Sequence, residues 1–339
     1  MQTFGAIKKE LLPQTAARKI FGLIRPEMTL VEAEFERQAN SNVQVINYLG
    51  EYLRASGGKR VRPALLILAS YAVGGKGSSE GVIRLATVME MLHTATLVHD
   101  DIIDNADLRR SRASVNARFG NQAAVLMGDW LYMSAFETSL KERSLEILDI
   151  LTRLTRKMTE GELIQLTMIG NADITEDQYF DILKRKTAFL FSGCCEIGAI
   201  LGGANTVKQA ALRDYGMNLG IAFQLADDLL DFTADEEALG KAAGVDLLEG
   251  KLTLPLIMLR NSDSTVKETL EEIMLEGVYR DSARTKIMDK LEEHETLENI
   301  RTVALSYSEG ARKNLEVLTK TEYSFALDEI PNFVIDRNS

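Results

Sequence analysis

The chain has 339 residues, with 39 Lys and Arg against 50 Asp and Glu, for a formal charge of -11. A sequence pI near 5.0 argues against a non-specific nucleic-acid binder, which needs a basic surface. Only 5 prolines accompany 24 glycines. That ratio favours long helices, because Pro interrupts both helix interiors and central strands.

The N-terminal stretch MQTFGAIKKELLPQ lacks the apolar core of a signal peptide. Helical spacing starts over residues 43–53, with apolar Val43, Ile46, Tyr48, Leu49 and Leu53. Gly57 and Gly58 end that run, and Pro63 suits a first helical turn. Residues 63–75 form the most apolar long stretch. It is shorter than the roughly 18 residues of a membrane span and reads as a buried helix. After Gly74 and Gly75, residues 88–103 are again apolar and helical.

Residues 145–169 carry Ile147, Leu148, Leu151, Leu154, Met158, Leu163, Leu166 and Ile169 at helical spacing. Thr175 and Gln178 have the spacing of a capping box. Residues 178–201 read as one long apolar helix ending at Gly202 and Gly203, and residues 212–232 read as another. Glycines punctuate residues 240–250, and the tail beyond Ile330 is expected to be less ordered. No stretch sustains period-two alternation, so no strand is predicted. Nor is there a linker or a repeat. These readings predict one all-α domain of ten or more helices over residues 1–339. Its motif core spans about 43–260 and its C-terminal helices reach about 330.

Cys194 and Cys195 are adjacent, which disfavours a disulfide between them, and they read as small buried apolar residues. With only His93, His99 and His294 beside them, no Cys/His zinc cluster is possible. A reducing cytoplasm is the expected setting.

The chemistry concentrates in two acidic triplets. Asp100, Asp101 and Asp104 end an apolar helical segment. Asp100 and Asp104 would share one face, about 6 Å apart along the axis, with Asp101 turned by about 100°. Asp227, Asp228 and Asp231 repeat the spacing in a second apolar segment. One such triplet is often only a solvated helix end. Two on greasy helices are harder to explain that way, because unpaired buried carboxylates are prohibitive. Hard oxygen ligands at this spacing suit Mg²⁺ bridging to phosphates. If the helices face each other, six carboxylates would form a metal cage for a polyphosphate. The complementary cations are Lys59, Arg60 and Arg62 after the glycine turn, then Arg109, Arg110, Lys186, Lys241 and Lys251.

These motifs resemble the trans-isoprenyl diphosphate synthases, also called polyprenyl synthetases. The matching stretches are GGKRVRP (57–63), EMLHTATLVHDDIID (90–104), EGELIQL (160–166), KTAFLF (186–191), GAILGG (198–203), FQLADDLLD (223–231) and GKAAGVDLLEGKLTLP (240–255). The resemblance implies a helical bundle of the isoprenoid synthase type with a deep central cavity. It implies head-to-tail condensation of an allylic prenyl diphosphate with isopentenyl diphosphate, releasing pyrophosphate. It also implies a homodimer, and three Mg²⁺ when substrate is bound.

In that scheme Mg²⁺ binds Asp100, Asp104 and Asp227, with Asp101, Asp228 and Asp231 in support. Arg109, Lys186, Lys241 and Lys251 meet the allylic diphosphate. Lys59, Arg62, His93 and Arg110 bind isopentenyl diphosphate, and Thr187 and Gln224 stabilise the allylic cation. His99 adjoins the acidic motif.

Ala95 and Thr96 lie one turn below Asp100. Short-chain relatives commonly place an aromatic there as a pocket floor. Small residues imply a deeper pocket and a medium or long product, near the octaprenyl class. Met91, Met127, Trp130 or Leu131 would then be deeper stops. The nearest alternative is a farnesyl or geranylgeranyl diphosphate synthase. A terpene cyclase would lack the GGKRVRP segment and the second DDxxD. A non-catalytic binding subunit would be expected to have lost motif residues.

Overall fold

The computed structural model describes residues 18–55, 57–109, 112–233, 244–280 and 282–335. Helices form where the apolar spacing places them. Helix α1 (Arg25–Gln38) precedes α2 (Gln44–Ala55), and α3 (Val61–Ala72) begins within the cationic motif. The side chain of Ser79 caps α4 (Glu80–Ile103), accepting from the Val82 N–H. After a short hairpin come α5 (Val115–Phe119), α6 (Asn121–Ser139) and α7 (Leu145–Met168). The predicted capping box is present. Thr175 and Gln178 satisfy each other's backbone N–H at the start of α8 (Glu176–Leu183). Then follow α9 (Phe189–Leu201) and α10 (Thr206–Thr233). The C-terminal third holds α11 (Val245–Leu248), α12 (Leu254–Ser262), α13 (Lys267–Glu276), α14 (Ala283–Glu293), α15 (Thr296–Asn314) and α16 (Glu322–Ile335).

The structure departs from the sequence reading in four places. The run predicted as one helix over 178–201 is interrupted by a π-helical turn, Lys184–Ala188. A π turn adds one residue to a single turn, and the phase shift does not stand out between the short apolar runs on either side of it. Strands β1 (Leu108–Arg109) and β2 (Arg112–Ala113) pair antiparallel. Two residues per strand are too few to alternate visibly. The last helix runs on to Ile335, because Ile330, Pro331 and Val334 are buried. Finally, α4 is the one helix among the described residues long and apolar enough to cross a membrane. Its best window has mean hydropathy 1.2, and 67% of that window is buried inside the protein.

The layers follow from these faces. In α3, Leu65, Leu66, Ile67 and Leu68 have no exposed surface. This helix is enclosed by α4, α9 and α16. Helix α4 packs against α6, and α9 lies between α3 and α10. Helix α10 is shared by two apolar clusters. Leu212, Tyr215 and Leu219 join the α3–α4–α9 cluster, while Ile221, Leu225 and Phe232 join that of α12–α15. The all-α class expected from the sequence is what forms.

Because α3 is surrounded on every side, Leu66→Ala should cost about 2–5 kcal/mol in urea unfolding. A loss below about 1 kcal/mol would contradict this enclosure.

Candidate active site

A cavity of about 1040 Å³ opens between α3, α4, α7, α9 and α10. It is at the upper end of the range usual for ligand pockets. The structure brings Lys59, Arg62, His93, Thr96, Asp100, Arg109, Lys186, Thr187, Gln224 and Asp227 together along its wall. Leu97, Met158, Leu163, Leu190 and Phe223 supply apolar lining. The lining is thus part charged and part apolar, which suits an amphiphile with an anionic head.

The six motif aspartates divide by position. Asp100 and Asp227, the first of each triplet, line the cavity. Asp101 is 3% exposed, and its Oδ1 accepts from Arg109 Nε at 2.6 Å. Asp104 is the C-cap of α4, and its Oδ1 accepts from Lys251 Nζ at 2.9 Å. Asp228 is also 3% exposed. It accepts from the Tyr179 hydroxyl and, at 3.0 Å, from Gln224 Nε2. Asp231 accepts from the N–H groups of Val245 at 3.1 Å and Asp246 at 3.4 Å. Among the described residues, no three His, Cys, Asp or Glu side chains converge on one metal point. Asp101 and Asp228 follow the cavity-lining aspartates by one residue and so turn about 100° away from them, toward Arg109 and Tyr179.

These carboxylates are held at an energetic cost. The first triplet sits at the C-terminal end of α4, the negative pole of the helix. Burial pushes the Asp100 carboxyl up to about 7, with Glu162 and Asp104 adding repulsion against the pull of Lys186 and Arg109. Burial likewise pushes Asp228 up to about 8, with Asp246 adding to it, and Asp246 itself up to about 7, with Asp231 adding.

The cations and dipoles are built from the π turn. Gly161 on α7 lacks the Cβ that would stand 2.7 Å from the Arg185 Cβ. That close approach lets Lys186 Nζ donate to Gln165 Oε1 at 2.7 Å and pair with Glu162 Oε1 at 2.9 Å. Next along the turn, Thr187 Oγ1 donates to Gln224 Oε1 at 2.9 Å. With the Gln224–Asp228 bond, this makes a chain from cavity wall to buried carboxylate. Sequence reading missed Glu162, Gln165, Tyr132 and Tyr179 as parts of the site. The first two stand inside the quoted EGELIQL motif, which was the available signal.

His99 also lines the cavity, and its Nε2 lies 3.2 Å from the Val125 carbonyl. Thr96 lines the cavity, but Ala95 has no exposed surface and is not part of the lining. Met91, Met127 and Leu131 are buried core, and Trp130 is partly buried. Arg110 and Lys241 lie outside the described residues.

The chain matches the family model for polyprenyl synthetase over residues 43–310. It is 39% identical over 317 residues to octaprenyl diphosphate synthase of Haemophilus influenzae, covering 93% of this chain and 95% of that one. It is 37% identical over 291 residues to geranylgeranyl diphosphate synthase of Methanosarcina mazei, covering 84% and 88%. A solved polyprenyl synthase from Caulobacter crescentus CB15, complexed with calcium and isoprenyl diphosphate, superposes with a TM-score of 0.89 at 34% identity. That match covers 95% of this chain and 98% of the other.

The raised carboxyls have a consequence for stability. Their folded values of about 7, 8 and 7 exceed the unfolded value of about 4, so the folded state holds protons more tightly. Stability then falls as pH rises through that window. In chelator-treated protein the Tm should drop between about pH 5 and about pH 8.5. Asp100→Asn should flatten the drop. An unchanged slope in that variant would contradict the burial of this charge.

Proposed function

The chain belongs to the polyprenyl synthetase family and is a trans-polyprenyl diphosphate synthase, and from that premise we propose how its cavity handles two diphosphates. The reaction joins an allylic prenyl diphosphate to isopentenyl diphosphate and releases pyrophosphate. The observation that carries our reading is the single cavity shared by Asp100 and Asp227 with Lys59, Arg62 and Lys186.

Hard carboxylate oxygens of Asp100 and Asp227 fit Mg²⁺, which usually takes one or two protein carboxylates and completes its shell with phosphate and water. Asp104 would join them once Lys251 lets it go, with Asp101, Asp228 and Asp231 as supports. When bound, Mg²⁺ would neutralise the departing diphosphate as a Lewis acid, three ions serving the liganded site. Arg109, Lys186, Lys251 and Lys241 hold the allylic diphosphate in this scheme. Lys59, Arg62, His93 and Arg110 hold isopentenyl diphosphate.

The allylic C–O bond breaks, and its electron pair leaves with the diphosphate. Thr187 and Gln224 turn their oxygens toward the cationic fragment, stabilised behind by Asp228. The isopentenyl double bond forms the new C–C bond. A proton then passes to the released pyrophosphate, so no side-chain base is required. Leu97, Met158 and Phe223 exclude water that would quench the cation.

Residues 1–339 would work as one unit, in a cytoplasmic homodimer. We assign the product to the octaprenyl class, because Thr96 offers no aromatic floor below Asp100. The similarity to octaprenyl diphosphate synthase of Haemophilus influenzae supports that class. The similarity to geranylgeranyl diphosphate synthase of Methanosarcina mazei supports the shorter alternative.

Incubation with farnesyl diphosphate, isopentenyl diphosphate and Mg²⁺ should yield elongated prenyl diphosphates. Hydrocarbon product or no turnover would reject the scheme. Asp100→Ala and Asp227→Ala should each lower kcat by roughly a hundredfold to a thousandfold or more. Near-normal rates in either would remove it from the proposed site. Thr96→Phe should shorten the product on chromatography, whereas Ala95→Phe, on the core side of α4, should leave the chain length of any folded enzyme unchanged. Because Ala95 is core, an effect confined to Thr96 would place the floor at that residue alone.

A further inference from the structure

Arg60 stands in the middle of the cationic motif, yet its side chain is turned to protein carboxylates. Its Nε donates to Glu32 Oε1 at 2.7 Å, and its Nη1 donates to Glu90 Oε1 at 2.6 Å. Its Nη2 reaches Glu32 Oε2 at 3.4 Å. The guanidinium carbon lies 5.7 Å from the Phe35 ring centroid. The side chains of Arg60 and Glu90 are only 12% and 6% exposed. The backbone of Arg60 is left-handed, at φ 49°, a conformation that non-glycine residues rarely adopt. Such a conformation persists where surrounding contacts over-determine it.

The placement of this junction gives it a use. Arg60 is the N-cap of α3, Glu32 and Phe35 belong to α1, and Glu90 belongs to α4. Lys59 and Arg62 flank Arg60, and all three line the cavity with Glu90, but the Arg60 guanidinium is taken up by Glu32 and Glu90. His93 follows Glu90 by three residues, so the two share one face of α4. The Arg60–Glu90 bond therefore ties the cationic turn to the helix that carries His93. A planar guanidinium suits this task better than an ammonium, because its forked donors reach two carboxylates at fixed angles.

We propose that Arg60 and Glu90 are positioning residues for the isopentenyl diphosphate subsite, fixing Lys59 and Arg62 relative to His93. Arg60 itself does not hold the substrate. This rests on the functional reading above, and the two are separable. Wild-type turnover tests that reading, whereas calorimetric affinity for isopentenyl diphosphate reports on this subsite even without turnover.

The experiment compares Glu90→Gln, Arg60→Met and the double variant, with Glu32→Gln as a milder change on a half-exposed partner. Each of the first two should raise the isopentenyl KM about tenfold and weaken its calorimetric affinity in step. A misplaced binding group is known to cost up to about a hundredfold. The allylic KM and the Mg²⁺ requirement should stay within about threefold of wild type. The double variant should be no worse than Arg60→Met, because that variant has already lost the bond to Glu90. Arg60→Lys should recover part of the loss. If Glu90→Gln does not fold, Glu32→Gln should still raise the isopentenyl KM by about threefold to fivefold. An isopentenyl KM that rises in Arg60→Met but in neither glutamate variant means Arg60 grips the substrate directly, which overturns the proposal. Equal increases in both substrate KM values, or no increase in either, overturn it as well.

Discussion

Asp100 and Asp227 line one cavity from two helices whose other faces are apolar core. Every other feature of the site answers that arrangement. A carboxylate loses solvation when buried, gains repulsion from its like-charged neighbours, and at the end of α4 also meets the negative pole of the helix. Lys186 and Arg109 offset part of this, yet Asp100 still sits up near 7. The unliganded site is therefore short of positive charge. A divalent cation arriving with a diphosphate would supply it, which would make binding of the head group and relief of the repulsion one event.

The remaining aspartates show how the fold limits that shortage. Asp101 has Arg109, Asp104 has Lys251, Asp228 has Tyr179 and Gln224, and Asp231 has two backbone N–H groups. Apart from Gln224, one turn before Asp228 on α10, these partners lie outside the helix that carries the aspartate, so the charges that do not face the cavity double as fastenings. Arg109 is held by Asp101 while lining the cavity, and Thr187 is tied through Gln224 to Asp228. Groups that meet substrate are thereby oriented before it arrives, which reduces reorganisation during the reaction. The Arg60–Glu90 junction would extend the same construction to the proposed isopentenyl diphosphate subsite.

Much of this was legible in the sequence, for physical reasons that can be named. Residues 145–169 were readable as a helix because their apolar period is uninterrupted and Gly170 ends it; α7 spans Leu145–Met168. Thr175 and Gln178 were readable because a capping box is local chemistry. The two DDxxD triplets and GGKRVRP pointed to the diphosphate site, and the structure brings their leading residues to one cavity. The π turn at Lys184–Ala188 was not readable, since the phase shift of one inserted residue does not stand out between short apolar runs. Nor was the division among the aspartates, which depends on Tyr179 and Val245 reaching them from distant elements. Ala95 was misjudged as lining, because a helical turn from Asp100 fixes height along the axis better than the direction faced. Thr96 has the cavity side and Ala95 the core side.

The most direct test is a calorimetric titration of pyrophosphate into the wild-type protein near pH 7, with and without Mg²⁺. The account predicts strong binding only when the metal is present. It further predicts that Asp100→Asn and Asp227→Asn each weaken that metal-dependent binding by at least about tenfold, because each removes a charge that the cation offsets. Equal affinity for pyrophosphate in the absence of any divalent cation would contradict it, since Lys and Arg alone would then satisfy the site.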